Sequence, residues 1–292
     1  MAPPNSPLRY PGGKQILSAV LAQLIRSGGL SGCVYAEPYA GGAGAALTLL
    51  FQEDVSQIVL NDADRSIYAF WRAILTRTDE FLQRLRDTPV TVREWRRQKE
   101  IYRNAPRETV LRLGFAAFYL NRTNRSGIIM NGGPIGGTSQ KGSWKINARF
   151  NREGLSRRIE KIALFANRIS VFNLDAMKFM KNVVNRMAVD RPLFVYLDPP
   201  YYAKGSLLYL NHYQPGDHAK LAKFLLAGTP FKWMMSYDEG AHIKKLYADL
   251  SKARIRLGYS ARERRTGREF LIFSEAFNPP RDWRKSVSLL GP

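Results

Sequence analysis

The stretch Cys33–Leu50, CVYAEPYAGGAGAALTLL, decides the fold. Apolar residues run to Ala36, a turn carries Gly41, Gly42 and Gly44, and an Ala/Leu-rich segment continues to about Phe51. This reads as strand, tight turn, helix, a format that lets backbone approach a ligand closely at the helix N-terminus. It is not a Walker phosphate loop, because no Gly-Lys-Ser/Thr follows, and PGGKQ at Pro11–Gln15 lacks the hydroxyl residue too. SQIVLNDADRSIYAFWRAIL, Ser56–Leu75, repeats the format with a strand at Gln57–Leu60, an acidic turn at Asn61–Asp64 and a helix. Asp62 ends that strand about twenty residues past the glycine turn, where a carboxylate can accept the ribose hydroxyls of an adenosine-containing ligand. Capping the next helix is the alternative for Asp62, and Asp64 is equally suited to it.

Further along, Thr78–Arg86, Arg93–Arg103 and Glu108–Tyr119 have helical character, followed by the Gly-, Asn- and Arg-rich stretch Asn121–Phe150 and a helix over Asn151–Asn167. A segment as long as Asn121–Phe150 without obvious structure is usually functional, and its glycines argue against a packed element. Strand–helix alternation then resumes. Strands are expected at Ile169–Asn173, Leu193–Leu197 and Trp233–Ser236, with helices after Asp175 and at Asp217–Leu226 and Glu239–Leu250. Arg254–Tyr259 and Glu269–Phe273 read as an antiparallel hairpin closing a mostly parallel sheet, and Phe277–Pro292 as a loosely held tail. The organisation is a discontinuous α/β domain, residues 1–77 and 168–292, interrupted by an insert at 78–167.

The chain has 292 residues, with 45 Lys and Arg against 24 Asp and Glu and a net charge of +21. Such an excess favours a polyanionic partner, most often nucleic acid. A single cysteine, Cys33, excludes an internal disulfide and a Cys-rich zinc site, and His212, His218 and His242 lack metal-ligand spacing, so no metal is expected. No apolar run is long enough for a membrane span and no signal-peptide core is present. A cytoplasmic setting and a monomer or weak dimer are expected.

VYLDPPYYAKG, Val195–Gly205, ends a buried strand on Asp198 before two prolines and two tyrosines. Pro199 and Pro200 restrict their own φ angles, and each biases its predecessor toward extended geometry. Open α/β sheets hold ligands at such strand ends.

With YPGGK, EPYAGGAG, LNDAD and DPPY in that order around a basic insert, the sequence resembles the Dam-like DNA adenine-N6 methyltransferases, over Pro7 to about Ser274. The resemblance implies a Rossmann-like methyltransferase fold, S-adenosylmethionine as cofactor and an adenine flipped from double-stranded DNA as substrate. It places Tyr10, Gly12, Gly13 and Lys14 beside the cofactor. Glu37, Pro38, Tyr39, Ala40, Gly41, Gly42 and Gly44 line its methionine part, Asp62 takes the ribose, and Asp175 and Ala176 lie near its adenine. YLNR at Tyr119–Arg122 matches the start of the family's recognition hairpin. Beyond it the pattern departs, with Arg125 and Ser126 where an aromatic and Asn are usual, Met130 where a guanine-reading Arg is usual, SWKI at Ser143–Ile146 for FNVP, and Ala176 for Phe. GATC specificity does not carry over.

An adenine amino group is a poor nucleophile because its lone pair is conjugated into the ring. The Asp198 carboxylate and the Pro199 carbonyl, held rigid by Pro200, can accept its two N–H bonds and favour a pyramidal nitrogen. Tyr201 can stack on the extruded base, and Tyr202 is either core or a second wall. Asn121, Arg122, Arg125, Lys141, Trp144 and Lys145 are the expected DNA contacts, and a cognate restriction endonuclease is one partner such an enzyme can have. The competing readings are an RNA adenine-N6 or guanine-N2 methyltransferase and an inactive DNA-binding relative. The mid-chain insert argues against the first and the intact Asp198–Tyr201 run against the second.

Overall fold

The computed structural model describes residues 4–9, 14–201, 213–260, 264–275 and 277. Seven strands form one sheet in the order β3-β2-β1-β4-β5-β7-β6. These are β1 (Val34–Glu37), β2 (Gln57–Asn61), β3 (Ile169–Phe172), β4 (Leu193–Leu197), β5 (Lys232–Asp238), β6 (Lys252–Ser260) and β7 (Arg264–Phe273). β1 to β5 pair in parallel, whereas β7 runs antiparallel to β5 and β6 antiparallel to β7. The expected parallel sheet with a closing hairpin is therefore present. Strand order reverses between β1 and β4, which makes their carboxyl ends the place where ligands bind in such sheets.

Alternate strand residues feed two apolar layers, as a sheet covered on both faces requires. Tyr35, Ile58, Leu60, Phe194, Tyr196 and Met234 enter one core, and Val34, Ala36, Val59, Val195, Leu197 and Trp233 the other. The first core is covered by α1 (Ser18–Ser27), α2 (Gly44–Phe51) and α3 (Arg65–Thr76). The second lies under α8 (Ala176–Phe179), α9 (Asn185–Asp190), α10 (Pro215–Leu226) and α11 (Ala241–Leu246), with a π turn at Met180–Val184 joining α8 to α9. The sequence reading omitted α1, although Leu17, Val20, Leu21, Leu24 and Ile25 repeat at helical spacing and are all buried.

Residues 78–167 hold α4 (Thr78–Asp87), α5 (Val92–Arg103), α6 (Val110–Thr123) and α7 (Arg152–Leu164). Phe81 of α4 and Phe115 and Phe118 of α6 pack edge and face with Phe70 and with one another. They belong to the same core as Leu47 and Tyr35. Gly114 allows the close approach of α6 to α3, since a Cβ there would stand 2.4 Å from the Ala69 carbonyl oxygen.

Two expectations are corrected. Asn121–Phe150 does not begin as loop, because α6 runs to Thr123, and the stretch beyond it is tied down by side-chain amides. Asn124 accepts the Trp95 indole N–H at 2.6 Å and donates to the Ile128 and Ile129 carbonyls, while Gln140 donates to Ile135 and Gly137 and accepts the Ile146 N–H. Phe277, taken as the start of a loose tail, is 2 % exposed and packs on Phe194 and Phe273. Residues 278–292 lie outside the described residues.

Candidate active site

The turn after β1 carries two left-handed residues, Gly41 at φ 46° and Ala43 at φ 45°. Glycine takes that conformation freely, and alanine does so at a cost that the packed surroundings must hold. α2 then starts at Gly44, with Ala43 at its N-cap supplying no side-chain cap and the Glu37 carboxyl facing the Ala46 N–H. Asp62 accepts the Gly41 N–H at 2.9 Å through one carboxylate oxygen and the Asp64 N–H at 2.9 Å through the other. Asp64, not Asp62, caps α3 by accepting the Ser66 N–H at 2.8 Å. Burial, with Asp64 close by, pushes the Asp62 carboxyl up to about 7. Pro38, Ala40 and Gly42 are buried within the turn, and the Tyr39 hydroxyl bonds that of Tyr213 at 2.6 Å.

Asn61, at the end of β2, organises these turns, a role that the sequence did not single out. It is fully buried and donates to the Pro38 and Leu174 carbonyls while accepting the Leu174 N–H, so it joins the turns that follow β1, β2 and β3. Asp175 is exposed and caps α8, accepting the N–H groups of Met177 and Lys178, and Ala176 behind it is buried. Glu37, at the end of β1, is buried and accepts the Tyr35 hydroxyl at 3.0 Å. Burial pushes its carboxyl up to about 8, with Asp198 adding in the same direction.

Asp198 follows β4 directly. Its Oδ1 accepts the Ser236 hydroxyl at 2.9 Å and forms an ion pair with Lys14 Nζ at 3.4 Å. Among the described residues Oδ2 has no hydrogen-bond partner, which leaves one carboxylate oxygen for an incoming donor. Burial raises the Asp198 carboxyl, and Lys14 and Ser236 oppose that rise by stabilising the anion. Pro199 is buried and Pro200 half-buried. Lys14 Nζ donates to the Tyr201 hydroxyl at 2.7 Å and to both Glu269 oxygens at 3.0 Å, and the Tyr201 hydroxyl also donates to Glu269. Lys14 and Glu269 are both buried. Tyr10, Gly12, Gly13 and Tyr202 lie outside the described residues.

Ser236 and Glu269 escaped the sequence reading because neither belongs to a motif: Ser236 follows the apolar run Trp233–Met235, and Glu269 follows the charged residues Arg264, Arg265 and Arg268. The strand register supplies the missing information. Ser236 of β5 pairs with Leu271, and Glu269 of β7 pairs with Asp238, at the carboxyl end of β5.

The expected DNA contacts divide. Asn121 is fully buried, with its amide spent on the Arg9 backbone and the Gly127 carbonyl, so the expectation that it meets DNA is corrected to a clamp on the N-terminal segment. Arg122 is also buried, not on an exposed loop, and its Nε donates to the Arg149 carbonyl. The charged groups acting on Arg122 are Arg9, Arg158 and Arg149, and burial with their repulsion lowers it to about 9. Arg125, Lys141, Trp144 and Lys145 are exposed, with Trp144 at 68 % and the Arg149 guanidinium 5.7 Å from its ring centre.

The profile of the D12 class N6 adenine-specific DNA methyltransferases matches residues 10–260, the greater part of the chain. The chain belongs to that family. A D12 methyltransferase modifies N6 of adenine in DNA, which agrees with the resemblance read from the four motifs. None of the curated proteins matches the chain. For this D12 chain no described helix is long and apolar enough to cross a membrane.

Proposed function

We propose that the chain moves a methyl group from S-adenosylmethionine to N6 of an adenine swung out of duplex DNA, at the carboxyl ends of β1 and β4. The residues present suit that donor. The first turn of α2, which Ala43 does not cap, offers the backbone N–H groups of Gly44 and Ala45, Asp62 keeps a further lone pair on each oxygen, and Glu37 and Asp198 supply acidic groups for a cation. When bound, S-adenosylmethionine supplies an electrophilic methyl group on a sulfonium centre. Glu37, Pro38, Tyr39, Ala40, Gly41, Gly42 and Gly44 line its methionine part, Asp62 takes the ribose, and Asp175 and Ala176 flank its adenine.

The observation that carries the reading is Asp198, fixed on one oxygen by Ser236 and Lys14, with the other oxygen free of hydrogen bonds among the described residues. That oxygen accepts one N6–H, and the Pro199 carbonyl accepts the second, so both N–H bonds are aligned before attack. Fixing the nucleophile in this way can supply several kcal/mol of the barrier. Tyr201 offers its ring to the extruded base, replacing stacking lost from the duplex.

Residues 78–167 form the target-recognition part. Arg125, Lys141, Trp144 and Lys145 contact the duplex, and the cluster of Arg9, Arg122, Arg149 and Arg158, with arginines as its mutual neighbours, suits a backbone phosphate. The test is Asp198→Ala. Turnover on unmethylated duplex DNA should vanish while methyl-donor binding persists, and near-normal kcat would overturn the assignment. Total RNA assayed in parallel should accept no methyl group. Long-read sequencing of DNA from a methylation-free host expressing the protein gives the modified sequence.

A further inference from the structure

We propose that Glu269, on the C-terminal hairpin, is a positioning residue for methyl transfer: it holds Lys14 back from Asp198 and fixes the ring of Tyr201. The inference rests on the assignment of Asp198 and Tyr201 made above.

Lys14 Nζ sits between two carboxylates at unequal distances. Both Glu269 oxygens are at 3.0 Å, while Asp198 Oδ1 is at 3.4 Å. Glu269 is the closer counter-ion of the buried ammonium, at true hydrogen-bond distance on both oxygens, and such charge-assisted hydrogen bonds outweigh an ion pair at longer range. Lys14 consequently opposes the rise that burial imposes on the Asp198 carboxyl without closing that carboxylate off. Without the charge on Glu269, the nearest anionic partner for a buried ammonium is Asp198. Lys14 would then settle on the carboxylate meant for the adenine amino group.

The second contact works on the base. The Tyr201 phenol accepts from Lys14 and donates to Glu269, so its hydroxyl is held at both hydrogen-bonding functions. An aromatic ring pinned at its far end presents one face in one orientation. Tyr201 follows Pro200 on the β4 side, and Glu269 comes from β7, next to β5. The hairpin thus reaches across to set two groups that belong to a different strand end.

A residue with this role governs the chemical step more than binding. In single-turnover assays, Glu269→Gln, which keeps shape and removes charge, should slow methyl transfer at least tenfold, with KM for DNA and for S-adenosylmethionine within threefold. Lys14→Met should slow it by a comparable factor, and the double variant should be no slower than the worse single variant, since the two act as one unit. Multiplying losses in the double variant would overturn the proposal. So would a Glu269→Gln rate within twofold of the parent while Asp198→Ala is inactive. A Glu269→Gln protein that loses DNA affinity and melts early would make Glu269 a residue of the fold and likewise overturn it. An active Asp198→Ala enzyme would instead refute the underlying assignment of Asp198.

Discussion

The Asp62 carboxylate accepts the Gly41 backbone N–H at 2.9 Å, which ties the end of β2 to the turn after β1. The residue proposed to hold the ribose therefore also holds the glycine turn proposed to line the methionine end of the donor. Asp62→Ala removes both functions. Losing hydrogen bonds to a charged group costs roughly 1.5–3 kcal/mol, so the donor Kd should rise about ten- to a hundredfold, with DNA affinity little changed. Asp62→Asn, which can still accept the Gly41 N–H, should sit between the two in calorimetry.

Glu37 makes the fold sensitive to alkali. Its carboxyl is pushed up from 4.5 to about 8 by burial, so the folded chain binds that proton more tightly than the unfolded chain does. The contribution to stability is greatest below the unfolded value and is lost as pH rises toward about 8. The melting temperature should fall between about pH 4.5 and 8, and Glu37→Gln should flatten that slope. Excess S-adenosylmethionine, a cation beside the newly formed anion, should restore part of the loss at the alkaline end.

Gly114→Ala tests the junction of α6 with α3. Alanine is better than glycine in a helix interior by about 1 kcal/mol, so propensity alone predicts a gain. The new Cβ would stand 2.4 Å from the Ala69 carbonyl oxygen, and overpacking of this kind typically costs about 1–3 kcal/mol. Net destabilisation in urea denaturation is expected, together with one unfolding transition, because α6 shares its core with the sheet.

Lys141 and Lys145 are exposed on the loop organised by Gln140, and Lys145 Nζ already donates to the Gln140 carbonyl at 2.7 Å. Lys141→Ala should weaken binding to all duplexes alike and lower the slope of log K against log salt by about one. Arg125→Ala should instead relax the choice of site by roughly 1–3 kcal/mol of discrimination, read from methylation of a randomised duplex pool.

The alternation of apolar runs with Gly- and Asp-bearing turns made the sheet, its hairpin and the strand-end position of Glu37, Asp62 and Asp198 legible in the sequence. Those features are local, set by propensity and period. Ser236, Glu269 and Asn61 were not legible, because their roles depend on which strands become neighbours. The burial of Asn121 and Arg122 was not legible for a related reason. A polar residue on a helix reads as exposed unless the structure reveals that another backbone, here Arg9 and Arg149, comes to meet it.

Lys14 and Glu269 stand 255 residues apart in the chain and touch in the fold. Synthesis at about 5–20 residues per second puts on the order of ten to fifty seconds between their emergence. During that interval a nascent chain can display the glycine turn, Asp62 and the Asp198–Tyr201 run, yet its buried ammonium has no bidentate counter-ion. The hairpin is the last strand pair to be made, so a chain truncated or stalled before β7 carries the parts of a methyl-transfer site without their final alignment.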